Sequence, residues 1–396
     1  MSFLRAARAA LAGQSCLPRI LVAVVIIFVL AGLSLSCGSS SHSTSGPNHN
    51  AYVTLPARGS VLLLHINGAS GAITVGAETP QVGNTSPTGI ALLPSKKFLY
   101  AINSSSFADS ISIFNVASDG TLALTGTPTP AGDGPNDAVI DPSGKYLLVT
   151  NNFGNNVSVY SIDPSSGALS EVAGSPFPAN ISPAEILITP SGKFVYVTNP
   201  TIGVITAFSF SNGVLTKVPG SPFSSILGGG GGAFGLAVNE SEQFLYVANP
   251  SASNPAPLST IGNVSGFNID PGTGALTHIL GSPFTATNGN GPSAVAVDPT
   301  GRFVYATTPG SNFSIWCFTI TPSTGQLVAV TNSPFSLTAG GLFALIDPSG
   351  NYFYIGSQGA NGIAGYTYDP STGAPAAITG SPFSTKAAPG KMVLSE

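Results

Sequence analysis

Charge is what this chain has least of. Only 7% of its 396 residues are Asp, Glu, Lys or Arg, with 16 acidic against 12 basic side chains. A surface so sparsely charged and mildly acidic has no footprint for nucleic acid or for anionic lipid headgroups. Histidine is nearly as scarce, at four. His42 and His49 fall near the N-terminus, and His65 and His278 fall in segments expected to be outer strands. A His-rich metal centre is therefore not expected, and neither is a cofactor. A calcium or magnesium site built from carboxylate and Asn has no supporting spacing. Of the three cysteines, Cys16 and Cys37 precede the repetitive part of the chain. That leaves Cys317, beside Trp316, with no disulfide partner, and it reads as a small buried hydrophobe in a strand. Beyond the N-terminus there is no helical periodicity.

Glycine (48) and proline (33) are abundant, and they fall at recurring turn positions between apolar runs rather than in low-complexity tracts. The phrase Tyr-Val-Thr-Asn at Tyr196 to Asn199 returns in altered form about every 48 to 50 residues. Each copy follows a turn such as Asp-Pro-Ser-Gly. Most precede a second turn of the Asp-Pro-Ser-Ser-Gly type and a closing Gly-Ser-Pro-Phe. In these turns Asp bonds to the following backbone, Pro presets φ, and Gly accepts positive φ cheaply. Four short β-rich runs per unit predict a four-stranded meander, and units of this length are blades of a β-propeller.

Inner strands are expected to start near Ser86, Gly134, Ser182, Gly232, Gly291, Gly341 and Pro389, which makes seven blades. The repeats open mid-unit: Ala51 to Leu55 matches the Tyr-Val-Thr-Asn strand, and Val61 to Ile66 matches the strand after it. The missing inner strand is supplied by Pro389 to Ser395. The expectation is an all-β, seven-bladed propeller over 51–396, with N-terminal strands and the C-terminal strand sharing one blade.

Residues 1–36 read as an export signal. Arg5, Arg8 and Arg19 precede an apolar run from Ile20 to Leu35 that is short for an anchor helix. Cys37 follows directly, and 37–50 would be a flexible tether. The stretch Leu33-Ser-Leu-Ser-Cys37 resembles a bacterial lipoprotein signal, although Ser34 rather than Leu lies three residues before the cysteine. That resemblance implies acylation of Cys37, attachment to the membrane through the lipid, and residence in the cell envelope. An uncleaved anchor and simple cleavage remain as alternatives. Without the leader about nine basic residues stand against 16 acidic ones.

The Tyr-Val-Thr-Asn strands, the Asp-Pro-Ser-Gly turns and the count of seven resemble the lactonase-type propeller family across about Ala51 to Glu396. The best-known activity of that family is hydrolysis of 6-phosphogluconolactone, and its repeats also occur in cell-surface proteins with no assigned reaction. The shared residues are the structural ones, so activity has to be sought in departures from the repeat.

Asp141, Asp163, Asp270, Asp298, Asp347 and Asp369 recur in the turns and read as turn-makers. The fourth residue of each inner-strand start should point near the channel mouth, and around the ring it reads Lys391, Gly89, Asp137, Glu185, Gly235, Ala294 and Phe343. Three are charged. Glu185 or Asp137 is a candidate general base for a water attacking a lactone, and Lys391 or Arg58 a candidate cation for the oxyanion or a substrate carboxylate. Asp109 and Asp133 belong to loops of the same face, and Asn151 and Asn199 end second strands there as candidate rim residues for a sugar. The competing reading makes the charges solvated rim groups or blade-to-blade pairs, and the asparagines partners of loop backbone. The glycine run 228–232 and the loop 250–263 of the fifth blade are irregular and face the same mouth. Two functions are open: a surface scaffold binding a glycan or protein, which low charge and scarce histidine favour, and a hydrolase of a sugar lactone.

Overall fold

A computed structural model describes residues 47–81, 86–105, 108–226, 232–250, 262–285, 291–309, 313–337, 340–357 and 359–395. The segment 1–36 read as an export signal, Cys37, most of the stretch read as a tether, and residues 228–231 and 251–261 of the two irregular segments lie outside the described residues. The described strands form seven antiparallel sheets, each a meander from an inner to an outer strand. In the third blade, for example, these are Pro135–Ile140, Tyr146–Asn151, Asn156–Ile162 and Leu169–Glu171. Second and third strands are almost wholly buried because both of their faces pack on neighbouring blades.

The seam is as the repeat phase requires. Met392–Ser395 pairs antiparallel with His49–Leu55, with Val53 opposite Met392 and Asn50 opposite Ser395. The first strand begins two residues before the boundary read from the sequence, so His49 and Asn50 belong to the propeller rather than to a tether. His49 Nε2 lies 2.7 Å from Asp347 Oδ2 in a turn of the seventh blade, and His65 Nδ1 lies 2.8 Å from Asn50 Oδ1.

The repeat's residues now have mechanical roles. Asp141 Oδ1 accepts the backbone N–H groups of Lys145 and Tyr146 at 2.8 and 2.6 Å. Asp298 does the same for Arg302 and Phe303 at 2.7 and 2.6 Å. Asp163 accepts from Ser165 and Ser166, which holds its carboxyl far below the usual range. Each Ser of Ser-Pro-Phe accepts a third-strand N–H, as Ser175 does from Val159 at 2.9 Å and Ser221 from Ala207 at 2.9 Å. In four blades the Phe then starts a two-residue strand against the third strand. Cys317 is buried, its thiol donates to the Gly373 carbonyl at 3.3 Å, and burial pushes its pKa up to about 12.

The tyrosine of the repeat phrase is an inter-blade clasp. Tyr52, Tyr100, Tyr196, Tyr246, Tyr305 and Tyr354 are fully buried. Each hydroxyl donates, at 2.8–3.0 Å, to a glycine carbonyl in the turn between third and outer strands of the next blade: Gly120, Gly167, Gly274, Gly325, Gly373 and Gly71. The last crosses the seam. The third blade has Leu148 at this position, and there Tyr146 packs edge-on against Phe210 of the fourth blade, 5.6 Å between centroids. Removing one clasp hydroxyl costs about 1 kcal/mol by the net worth of a hydrogen bond. Tyr196→Phe is therefore expected to lower the unfolding free energy by that amount in urea titration. Leu148→Phe, which has no hydroxyl to lose, separates ring packing from the hydrogen bond.

Candidate channel site

Each blade's inner strand enters from the face where second-to-third strand loops and blade-to-blade connections lie. Three of these strands carry a charge near that mouth. Lys391 precedes Met392–Ser395, Asp137 is third in Pro135–Ile140, and Glu185 precedes Ile186–Ile188. A threonine fixes each backbone. The N–H groups of Lys391, Asp137 and Glu185 donate to the hydroxyls of Thr54, Thr150 and Thr198 at 2.9, 3.1 and 3.0 Å. These are the threonines of the repeat phrase. Where the corresponding residue is Ile102, Ala248 or Gly356, the inner strand carries no charge; Thr307 opposite Ala294 is the exception. The charges that depart from the repeat marked these three positions in the sequence, and the threonines that hold them are a second signal that was not read there.

Asp137, Glu185 and Lys391 meet. The Lys391 ammonium reaches across the channel from the first blade, donating to Glu185 Oε1 at 3.0 Å and to Asp137 Oδ2 at 3.4 Å. The side chains retain 29%, 30% and 9% exposure for Lys391, Glu185 and Asp137. Asp137 Oδ2 also receives the N–H of Ile186 in the next blade at 3.4 Å, and Glu185 receives the N–H of Leu236 in the fifth. Burial disfavours the Lys391 ammonium, but the two carboxylates outweigh it and hold the pKa above the ordinary lysine value. Burial lifts the Glu185 pKa; Lys391 opposes the lift and Asp137 reinforces it.

The remaining candidates are engaged elsewhere. Arg58 Nε and Nη2 donate to the Glu78 carboxylate of the same blade at 2.6 and 3.1 Å, so Arg58 does not join Lys391. Asp109 ties two loops by accepting the N–H groups of Ser105 and Gly134 at 2.9 and 2.7 Å. Asp133 is exposed, and its backbone carbonyl accepts from Gly154 at 3.0 Å. Asn151 and Asn199, candidates for a sugar-facing rim or for partners of loop backbone, are fully buried. Asn151 donates to Asn156 and Ser158 within its sheet, and Asn199 donates to the carbonyls of Ala179 and Ile181. They close strand ends, because a polar group buried at that position must find a partner inside. Among the described residues no cluster of His, Cys, Asp and Glu is arranged to hold a metal ion.

A family model described as Lactonase, 7-bladed beta-propeller matches residues 42–177, 172–279 and 260–387. Among solved structures, a protein of Bacteroides fragilis described provisionally as a 6-phosphogluconolactonase superposes with a TM-score of 0.75 at 20% identity, over 90% of this chain and 100% of the other. The periplasmic gluconolactonase of Pseudomonas aeruginosa gives 0.71 at 18% identity, over 88% and 99%. A protein of Lactobacillus plantarum gives 0.69 at 16% identity, over 88% and 100%. Likeness at these identities is one of fold. No curated protein matches the chain.

Proposed function

We propose, since this chain belongs to the lactonase family of seven-bladed β-propellers, that it is an envelope-anchored scaffold that binds its ligand at the mouth face without catalysis. The observation that supports this is that the three channel charges are engaged with one another. Hydrolysis of a lactone needs a base free to take a proton from water and a donor free to meet the tetrahedral oxyanion. Here the one ammonium is spent on both carboxylates. The geometry is that of a pin between blades. Lys391 sits on the strand that closes the ring, and its partners lie on the third and fourth blades.

The lactonase reading has one observation in its favour. A carboxyl lifted by burial, as Glu185 is, suits a general base. The two readings separate on purified protein with a panel of sugar lactones, beside the Glu185→Gln and Asp137→Asn variants. The scaffold reading expects no turnover from any of the three proteins. Turnover by the parent that both variants lose would overturn it.

Anchoring belongs to the same proposal, and the periplasmic description of the Pseudomonas aeruginosa neighbour supports an envelope location. Maturation is expected to be blocked by globomycin, and Cys37→Ala to release the protein from the membrane fraction. A Cys37→Ala protein that stays membrane-bound would refute the lipid anchor.

A further inference from the structure

We infer that the mouth face over the third, fourth and fifth blades docks a segment of a partner protein that combines apolar side chains with lysine or arginine. This rests on the scaffold reading and says which chemistry the scaffold takes. Large apolar side chains that stand exposed are few here, and four of them gather on this face: Phe153 (72% exposed), Ile181 (53%), Ile202 and Phe234. Their segments are bonded into one surface. The N–H of Ser182 donates to Asn155 Oδ1 at 2.8 Å, and Asn152 Nδ2 to the Pro183 carbonyl at 3.1 Å, which joins the Phe153 loop to Ile181. Asn199 Nδ2 donates to the Ile181 carbonyl at 3.0 Å, and its own loop holds Ile202. The N–H of Gly232 reaches the Pro200 carbonyl at 3.1 Å and brings in Phe234. A preformed apolar surface of this kind loses little entropy when a partner covers it.

Charge selects the partner. The described residues of these segments carry Asp133, Asp137 and Glu185 and neither lysine nor arginine. The one ammonium that reaches them, Lys391, faces two carboxylates, so the local balance stays negative. Arg58 lies in the first blade's loop, and Lys386 in the connection leading to that blade. An anionic bilayer is a poor occupant for an acidic face. A cationic, apolar peptide segment satisfies both the hydrophobic and the electrostatic demand.

The test uses fluorescence anisotropy of purified protein with three dye-labelled decapeptides, alternating Leu/Lys, Leu/Glu and Ser/Lys. The Leu/Lys peptide is expected to bind at least tenfold more tightly than the other two and to weaken with added salt. Phe153→Ser and Ile181→Ser are expected to weaken it at least fivefold with unchanged circular dichroism. Leu280→Ser, which removes an exposed apolar side chain from outside this surface, is expected to leave it unchanged. The inference is overturned if Ser/Lys or Leu/Glu binds equally well, if Phe153→Ser and Ile181→Ser bind as the parent does, or if no peptide binds. It is also overturned by a concentration-dependent dimer that Phe153→Ser disperses, because the occupant is then a second copy of the chain. Binding from a glycan array without peptide binding sinks this inference and leaves the scaffold reading standing. Lactone turnover lost in both channel variants sinks that reading and does not bear on the peptide result.

Discussion

A chain ending at Ala388 is expected to lose cooperative folding. The strand Met392–Ser395 supplies the whole inner edge of the first blade through four paired positions. Further bonds extend it: the N–H of Thr54 donates to the Lys391 carbonyl at 2.9 Å, and the N–H of Gly390 to the Thr54 carbonyl at 2.8 Å. Met392 packs in one core cluster with Ala51, Val53, Phe343 and Tyr354, which joins the seventh blade to the first. Val393 packs on the cluster of Tyr52, Leu63 and Ile90, which joins the first to the second. Each hydrogen bond is worth about 1 kcal/mol net and each buried apolar side chain about 1.5–3 kcal/mol. The loss is therefore on the order of 5–10 kcal/mol, comparable with the typical stability of a whole domain of about 5–15 kcal/mol. It also leaves the otherwise buried strand His49–Leu55 as an open edge prone to intermolecular pairing. Soluble yield and urea unfolding followed by near-ultraviolet circular dichroism check the expectation. The synthetic peptide 389–396 added in trans should restore the parent's transition. A truncated chain that unfolds at the parent's midpoint, with the parent's slope, would show that the seam does not hold the ring.

The seam was legible because the repeat carries its own phase. A chain that opens with a second strand must find its first inner strand elsewhere, and only Pro389 to Ser395 was unassigned. The turn aspartates were legible for a related reason: their offset from Pro, Ser and Gly is a local property. What the sequence left open were contacts whose partners lie at distances it does not encode. Lys391 and Glu185 lie at the inner strands of the first and fourth blades, three places apart around the ring. They touch because a seven-bladed ring brings its inner strands close enough for a lysine to span the axis, and spacing along the chain says nothing of that width. The tyrosine clasp was hidden because its acceptor is a backbone carbonyl that no side chain marks. Asn151 and Asn199 stood open between a sugar-facing rim and partners of the nearby chain, and their burial favours the second reading. An Asn at a strand end looks the same in sequence whether it faces water or, as here, a neighbouring Ser, Asn or carbonyl inside the sheet.

Lys391→Met is expected to cost about 2–4 kcal/mol at neutral pH. Breaking one partner out of a buried ion pair typically costs about 3–5 kcal/mol, and the residual exposure of Lys391 and Glu185 trims that figure. The cost arises from what is left behind, two carboxylates facing each other with no cation between them. Its pH dependence has a definite sign. Burial lifts the Glu185 pKa, Asp137 adds to the lift, and Lys391 opposes it, so removing the lysine raises it further. A folded-state pKa above the unfolded value means that the folded protein binds the extra proton. The stability linked to Glu185 is then fully present below the unfolded carboxyl pKa and is lost as pH rises through the folded one. The Lys391→Met protein should therefore regain part of its deficit between pH 7 and pH 5, with the parent showing the same slope more weakly. Adding Glu185→Gln should recover most of the loss at pH 7 and flatten the slope, because one carboxylate tolerates the channel better than two. Urea titrations of the three proteins at both pH values decide it. A Lys391→Met protein as stable as the parent at pH 7, with no gain on acidification, would show that the three charges are solvated rim groups and that the channel pin does not exist.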